Sequence, residues 1–132
     1  MRREPSIDED GWMLRSGEEA HSSAPETFWI PDKTDRENLK IGDYAKLIFE
    51  IAVDNDDNPI SVERMWVIVT EVSEFGFFGR LDNEPDAIAE NHDFWLGTEV
   101  PFESHHVIDI DSGDAKSTTI AQSEFLKRWP RG

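Results

Sequence analysis

From Tyr44 the chain takes on a period of two: Ala45, Leu47, Phe49 and Ile51 fall on one face of an extended segment, with Lys46 and Glu50 on the other. Such alternation belongs to a strand with one buried face. Further on, Met65-Trp66-Val67-Ile68-Val69-Thr70-Glu71-Val72 is apolar on both faces for most of its length, which is the pattern of a central strand. Asp54-Asn55-Asp56-Asp57-Asn58-Pro59 between them reads as a loop, because Asn and Asp bond their own backbone and Pro ends pairing. A half-buried strand feeding a doubly covered one commits the middle of the chain to a sheet.

The neighbouring segments extend that sheet. Phe75-Gly76-Phe77-Phe78-Gly79-Arg80-Leu81 follows after a short connection and should pair as a hairpin, its glycines suiting a bulge or a sharp barrel corner. Trp95 to Phe102 holds another strand, interrupted by Gly97 and Pro101, and Val107 to Ile110 closes the series. Upstream, Trp12-Met13-Leu14 is a short apolar run, Ser16 to Glu19 a turn opening a brief helix, and Thr27 to Ile30 a short edge strand closed by Pro31. Near the end, Thr119 and Gln122 form a capping box for an amphipathic helix that lays Ala121, Phe125, Leu126 and Trp129 on the sheet. Lys127 and Arg128 complement its C-terminus and Pro130 stops it. The expected fold is mainly β, α+β by count: a small bent antiparallel sheet or an SH3-like barrel with a C-terminal amphipathic helix. Residues 1–10 are charged and aperiodic and read as a flexible N-terminus, leaving a single β-rich domain over 11–132.

Composition narrows the function classes. A chain of 132 residues can bury a sizeable core unaided, and zero Cys excludes a disulfide scaffold, a thiol nucleophile and a thiolate zinc site. Thirteen Lys and Arg against 29 Asp and Glu give a net charge of −16. Residues 51–100 carry 2 basic and 12 acidic side chains, so the acidity is concentrated where the strand patterns are strongest. Neither nucleic acid nor an anionic membrane surface suits such a chain, since both need clustered cations. No apolar run approaches the ~20 residues of a membrane span. The reading is a soluble cytoplasmic protein, a monomer or weak dimer, with a basic protein as the partner its charge would attract.

Few motifs carry chemistry. Asp54, Asp56 and Asn58 occupy alternate positions of an EF-hand-like loop, but Pro59 stands where Gly is needed and Met65 where the bidentate Glu belongs. His105 and His106 are adjacent, so on an extended backbone their rings diverge, and His21 and His92 are remote, with no HxH or HxxxH spacing. Among 29 acids some pair falls at any spacing by chance, and no nucleophile elbow, S-x-x-K or P-loop is present. No catalytic residue, cofactor or metal is expected. Trp66 reads as core, and so does Trp95, although flanked by Asp93 and Gly97 it is the better candidate for a surface aromatic meeting a partner's cation.

Several segments share an order with a known family. Thr27-Phe28-Trp29-Ile30-Pro31, Leu39-Lys40-Ile41-Gly42-Asp43-Tyr44-Ala45-Lys46-Leu47-Ile48-Phe49 and Glu63-Arg64-Met65-Trp66-Val67-Ile68-Val69 resemble the YegJ-like family of small bacterial domains of unknown function. Gly79-Arg80-Leu81-Asp82-Asn83-Glu84-Pro85, Leu96-Gly97-Thr98-Glu99-Val100-Pro101-Phe102 and His106-Val107-Ile108-Asp109 follow in the same order, so the likeness spans about residues 25–111. The resemblance implies a compact β-rich domain without an established catalytic site, and by looser analogy an immunity-like role against a secreted toxin. Asn83 and Pro85 fit a fixed turn, the Asn side chain bonding local backbone.

The function these residues point to is an acidic binding module that docks a basic protein partner, with Asp82, Glu84, Asp86 and Trp95 as the candidate contacts. The alternative is a small-molecule or weakly catalytic domain with a pocket near Trp95, Asp82 and His106.

Overall fold

The computed structural model describes residues 3–131; Met1 and Arg2, at the start of the terminus read as flexible, and Gly132 lie outside the described residues. Among the described residues six strands form one antiparallel sheet: β1 (Trp12–Arg15), β2 (Tyr44–Ala52), β3 (Ile60–Ser73), β4 (Gly76–Leu81), β5 (Glu99–Phe102) and β6 (Asp109–Asp111). The spatial order is β1-β2-β3-β4-β5. β3 takes one edge of β2 along its whole length, so β1 and β6 share the other, β1 against Ile48–Ile51 and β6 against Tyr44–Lys46. Four short helices, α1 (Ile7–Asp10), α2 (Gly17–Ser23), α3 (Lys33–Glu37) and α4 (Ala115–Ala121), and a 3₁₀ turn over Ser104–His106 decorate the sheet.

The alternation from Tyr44 does what the sequence requires. Ala45, Leu47, Phe49 and Ile51 are fully buried, and Met65, Val67 and Val69 of β3 join them with Phe77, Leu81, Val100 and Phe102 from β4 and β5. β3 is central, paired with β2 on one side and β4 on the other. Its second face differs from expectation, because Trp66 is half-buried there rather than in the core. It lies opposite Lys46, whose Nζ is 5.6 Å from the indole centroid, and meets the Tyr44 ring edge-on at 6.3 Å. Parity decides this: Met65 and Val67 face inward, so Trp66 must face out.

The sheet curls into a half-barrel. A bulge helps, since the β3–β4 register shifts between Val69 and Glu71, with Thr70 as the extra residue. The bulge is on the partner strand and not at a glycine. Gly79 serves close approach instead, because a Cβ there would stand 2.8 Å from Cγ2 of Val67. Curling brings the ends of the strand order together: Met13 and Leu14 of β1 and Pro101 and Phe102 of β5 line one narrow cleft. Trp12 bridges the gap, stacked on Phe94 at 4.7 Å and edge-on to Trp129 at 5.8 Å.

Two other expectations change. The segment Thr27–Ile30 is not a strand: the N–H groups of Thr27 and Phe28 both donate to the Ala24 carbonyl, which consumes the donors a ladder would need, and Trp29 is 70% exposed. The C-terminal helix forms, but earlier than Thr119 and Gln122 suggest. Asp114 and Ser117 make the capping box, the helix ends at Ala121, and Phe125 to Trp129 are not helical. Between residues 3 and 10, read as flexible, Ser6 caps the α1 turn and Arg3 forks onto Asp10 at 2.7 and 3.0 Å. The polar segment before β2 also hides an anchor: buried Arg36 donates to the Pro31 and Ser104 carbonyls and to Glu18, tying α2 and α3 to the 3₁₀ turn.

Candidate functional site

The acidic connection after β4 is held by two side chains. The Asn83 amide oxygen accepts the Trp66 N–H at 2.6 Å, so Asn83 continues the β3–β4 ladder rather than bonding local backbone as its turn chemistry suggests. The Glu63 carboxylate accepts the N–H groups of Asp86 and Ala87. Pro85 is buried beneath them, while Glu84 and the Asp86 side chain point to solvent. Asp82 is half-buried; burial pushes its carboxyl up, against the opposing charges of Arg80 and Lys116. Trp95 is half-buried in a turn in which its N–H donates to Thr98 Oγ1 and its carbonyl accepts the Thr98 N–H.

Of the three residues of the alternative pocket, His106 lines a cleft that the other two do not share. His106 is buried in the 3₁₀ turn, its Nδ1 accepting the Glu103 N–H, and lines the cleft of about 50 Å³ with Met13, Leu14 and Phe102; neither Asp82 nor Trp95 lines it. The 3₁₀ turn also removes the divergence expected of adjacent histidines, whose ring centroids are 3.9 Å apart. In the Asp-rich loop, Asn55 accepts the N–H groups of Asp57 and Asn58, a local turn of the kind its composition suggests. Among the described residues no three His, Asp or Glu side chains are gathered as metal ligands, and no helix is long and apolar enough to cross a membrane.

Two features stand out that the motif reading passed over. The first is a groove of about 800 Å³ at the tip of the β3–β4 hairpin, lined by Glu4, Glu37, Glu74 and Glu103 around Phe75 and Phe77. Phe75 is 56% exposed, an unusual position for so large an apolar ring, and Val72 beside it is exposed as well. Glu103 is engaged with His105 at 3.6 Å and caps the 3₁₀ turn, whereas Glu37 and Glu74 make no ion pair among the described residues. The four acids come from the N-terminal segment, α3, the hairpin and the end of β5. Only Glu74-Phe75 is visible as a local signal, an acid beside an aromatic at a hairpin tip.

The second is Glu99 at the start of β5, 1% exposed. Arg131 forks onto its two oxygens, Nη1 and Nη2 each at 2.8 Å, the Trp129 N–H donates at 2.8 Å, and Arg128 approaches at 3.4 Å. Burial alone would push this carboxyl up; the Arg131 bonds, the Trp129 N–H and the two arginine charges more than reverse it and hold it below the ordinary glutamate value. The same guanidinium lies 3.8 Å over the Phe78 ring and 3.2 Å from Glu71. A charged residue at the head of Glu99-Val100-Pro101-Phe102, with arginines near the chain end, was the available signal.

No family model, no curated protein and no solved structure matches the chain.

Proposed function

We propose that the protein is an acidic binding module that docks a basic protein partner, and that the hairpin-tip groove is where it does so. One observation carries this reading: Glu37 and Glu74, which make no ion pair among the described residues, line a groove of about 800 Å³ with an exposed phenylalanine. An exposed ring supplies desolvation energy at the centre of an interface, and surrounding like charges speed the approach of a cationic surface and reject an anionic one. The contacts read from sequence, Asp82, Glu84, Asp86 and Trp95, become secondary, since Asp82 already faces Arg80 and Lys116 and only Glu84 and Asp86 are open carboxylates. The likeness to the YegJ-like family adds no activity; an immunity-like role against a basic toxin is the most concrete form the reading takes.

The test is a titration of the full chain with a peptide of alternating Lys and Leu, followed by backbone amide resonances. Binding that weakens steeply with salt, shifts Ser73 to Phe77 and disappears in Glu37→Lys, Glu74→Lys supports the groove. Shifts confined to residues 82–95 would move the surface to the acidic connection, and absence of binding at low salt would reject the module.

A further inference from the structure

Residues 126–131 sit as a ligand would. After α4 the segment 122–131 has no helix or strand of its own, and only Trp129 in it is buried. Leu126 donates to the Gly97 carbonyl and the Lys127 carbonyl accepts the Glu99 N–H, laying the segment parallel to the edge of β5 that β4 leaves free. Its Arg131, with its side chain 40% exposed, then rests against three side chains that together form its binding pocket: the Glu99 carboxylate, the Phe78 ring against its face and Glu71. A forked contact to a desolvated carboxylate with the guanidinium stacked on an aromatic ring reads arginine and not lysine, whose ammonium can neither fork nor stack.

We infer that the pocket of Glu99, Phe78 and Glu71 is a recognition site for an arginine-bearing extended segment of a basic protein partner, closed in the free protein by the chain's own Arg131. This rests on the reading of a basic partner but uses a different surface from the groove. Two physical arguments carry it. Glu99 cannot be left unpaired at this depth, so only a segment that brings its own guanidinium can replace the tail, which makes the pocket selective. The tail segment is also held by few backbone bonds: its departure unpairs none of the six strands and gives up the Trp129 contact with Trp12, while its attachment keeps it at an effective concentration on the order of millimolar. A partner in trans must therefore outcompete the tail, and weakening the tail should expose the site.

The experiment uses fluorescein-labelled Lys-Arg-Trp-Pro-Arg-Gly, its counterpart with citrulline for both arginines, and the full-length chain with and without the paired substitutions Arg128→Ala and Arg131→Ala. The expected result is saturable binding at least tenfold tighter to the variant than to the unsubstituted protein, and at least tenfold weaker for the citrulline peptide. A folded variant that binds no peptide, or binds both equally, overturns the inference. Should the variant fail to fold, the unsubstituted chain with millimolar arginine peptide decides: displacement moves the Trp129 indole N–H resonance, which loses its bond to the Arg3 carbonyl, and an unmoved resonance overturns the site. A peptide-free dimer that Arg131→Ala abolishes would make the occupant a second copy's tail and overturn the partner reading. Repeating the titration on Glu37→Lys, Glu74→Lys separates the two proposals: retained binding supports the tail pocket whatever the fate of the groove, and lost binding places the peptide in the groove and overturns the pocket.

Discussion

Glu99 heads β5 and Glu74 sits in the turn between β3 and β4 of the same curled sheet, and the fold treats them in opposite ways. Glu99 is buried and takes a fork from Arg131, a backbone N–H from Trp129 and the charge of Arg128. Glu74 is exposed at the hairpin tip beside Phe75, with no cation against it among the described residues. The contrast teaches that a net charge of −16 is a sum over carboxylates with different jobs: one closes the fold, others stay available to something outside it.

The largest test of that division removes a partner rather than the acid. Arg131→Ala leaves the Glu99 carboxylate buried with only the Trp129 N–H and the longer 3.4 Å contact to Arg128, and breaking such a forked pair should cost about 3 kcal/mol. Glu99→Ala should cost less, about 2 kcal/mol, because its arginines return to water and the main loss is the unpaired Trp129 N–H. Urea unfolding of the two variants checks the order. If Glu99→Ala proved the more damaging, the carboxylate would be acting chiefly as packing volume, and the comparison would lose its basis.

Acid titration sharpens the same point. A carboxyl whose native pKa is depressed contributes stability above its unfolded value and loses it as the pH falls through the folded one. Glu99 and Asp10 are both of this kind, Asp10 because the fork from Arg3 and the Ser6 N–H outweigh its burial. Stability should therefore decline as the pH falls below about 4.3, the ordinary glutamate value. In Glu99→Gln the decline should be shallower. An identical slope, measured by thermal unfolding between pH 6 and 3, would show that Glu99 does not couple to folding.

How much of this was legible depended on distance along the chain. The face of Ala45, Leu47, Phe49 and Ile51 follows from local alternation, and the central place of β3 from its two-sided apolarity; both are properties of a single strand. Trp66 shows the limit, since a strand that looks apolar on both faces still assigns each residue to one of them, and parity with Met65 and Val67 put it outside. Thr27–Ile30 has strand composition, but the Ala24 carbonyl captured its donors first. The C-terminal arc of Phe125, Leu126 and Trp129 matched a helix by spacing, yet Trp129 is buried because it meets Trp12 across the barrel seam, more than a hundred residues away. The groove and the Glu99 fork fail to show for the same reason: their members are distant in sequence, from Glu4 to Glu103 in the groove and 32 residues apart for Glu99 and Arg131, and no local pattern encodes which acid will face which arginine.

Asp82 lies between the two classes and tests whether they are distinct. Burial raises its carboxyl against the pull of Arg80 and Lys116, so its charge is a cost to the native state at neutral pH, the reverse of Glu99. Its contribution is present at low pH and is lost as the pH rises through the elevated native value. Asp82→Asn should leave the protein slightly more stable at pH 7 than at pH 4, relative to the unsubstituted chain. A loss at pH 7 would mean that the Arg80 and Lys116 charges depend on this carboxylate, and would move Asp82 to the side of Glu99.

The smallest effect is the most informative about function. Glu37→Ala and Glu74→Ala remove carboxylates that are exposed and hold no ion-pair partner among the described residues, so each should change unfolding free energy by no more than about 0.5 kcal/mol. Together they should reduce the dependence of basic-peptide binding on salt while leaving the urea midpoint where it was. The combination matters because the two outcomes separate the two uses of charge: a residue that matters to folding should move stability at fixed salt, and one that matters to docking should move only the salt slope of association. If the paired variant were destabilised by a kilocalorie or more, the groove acids would be structural after all, and Phe75 would remain an exposed ring with no charged frame around it.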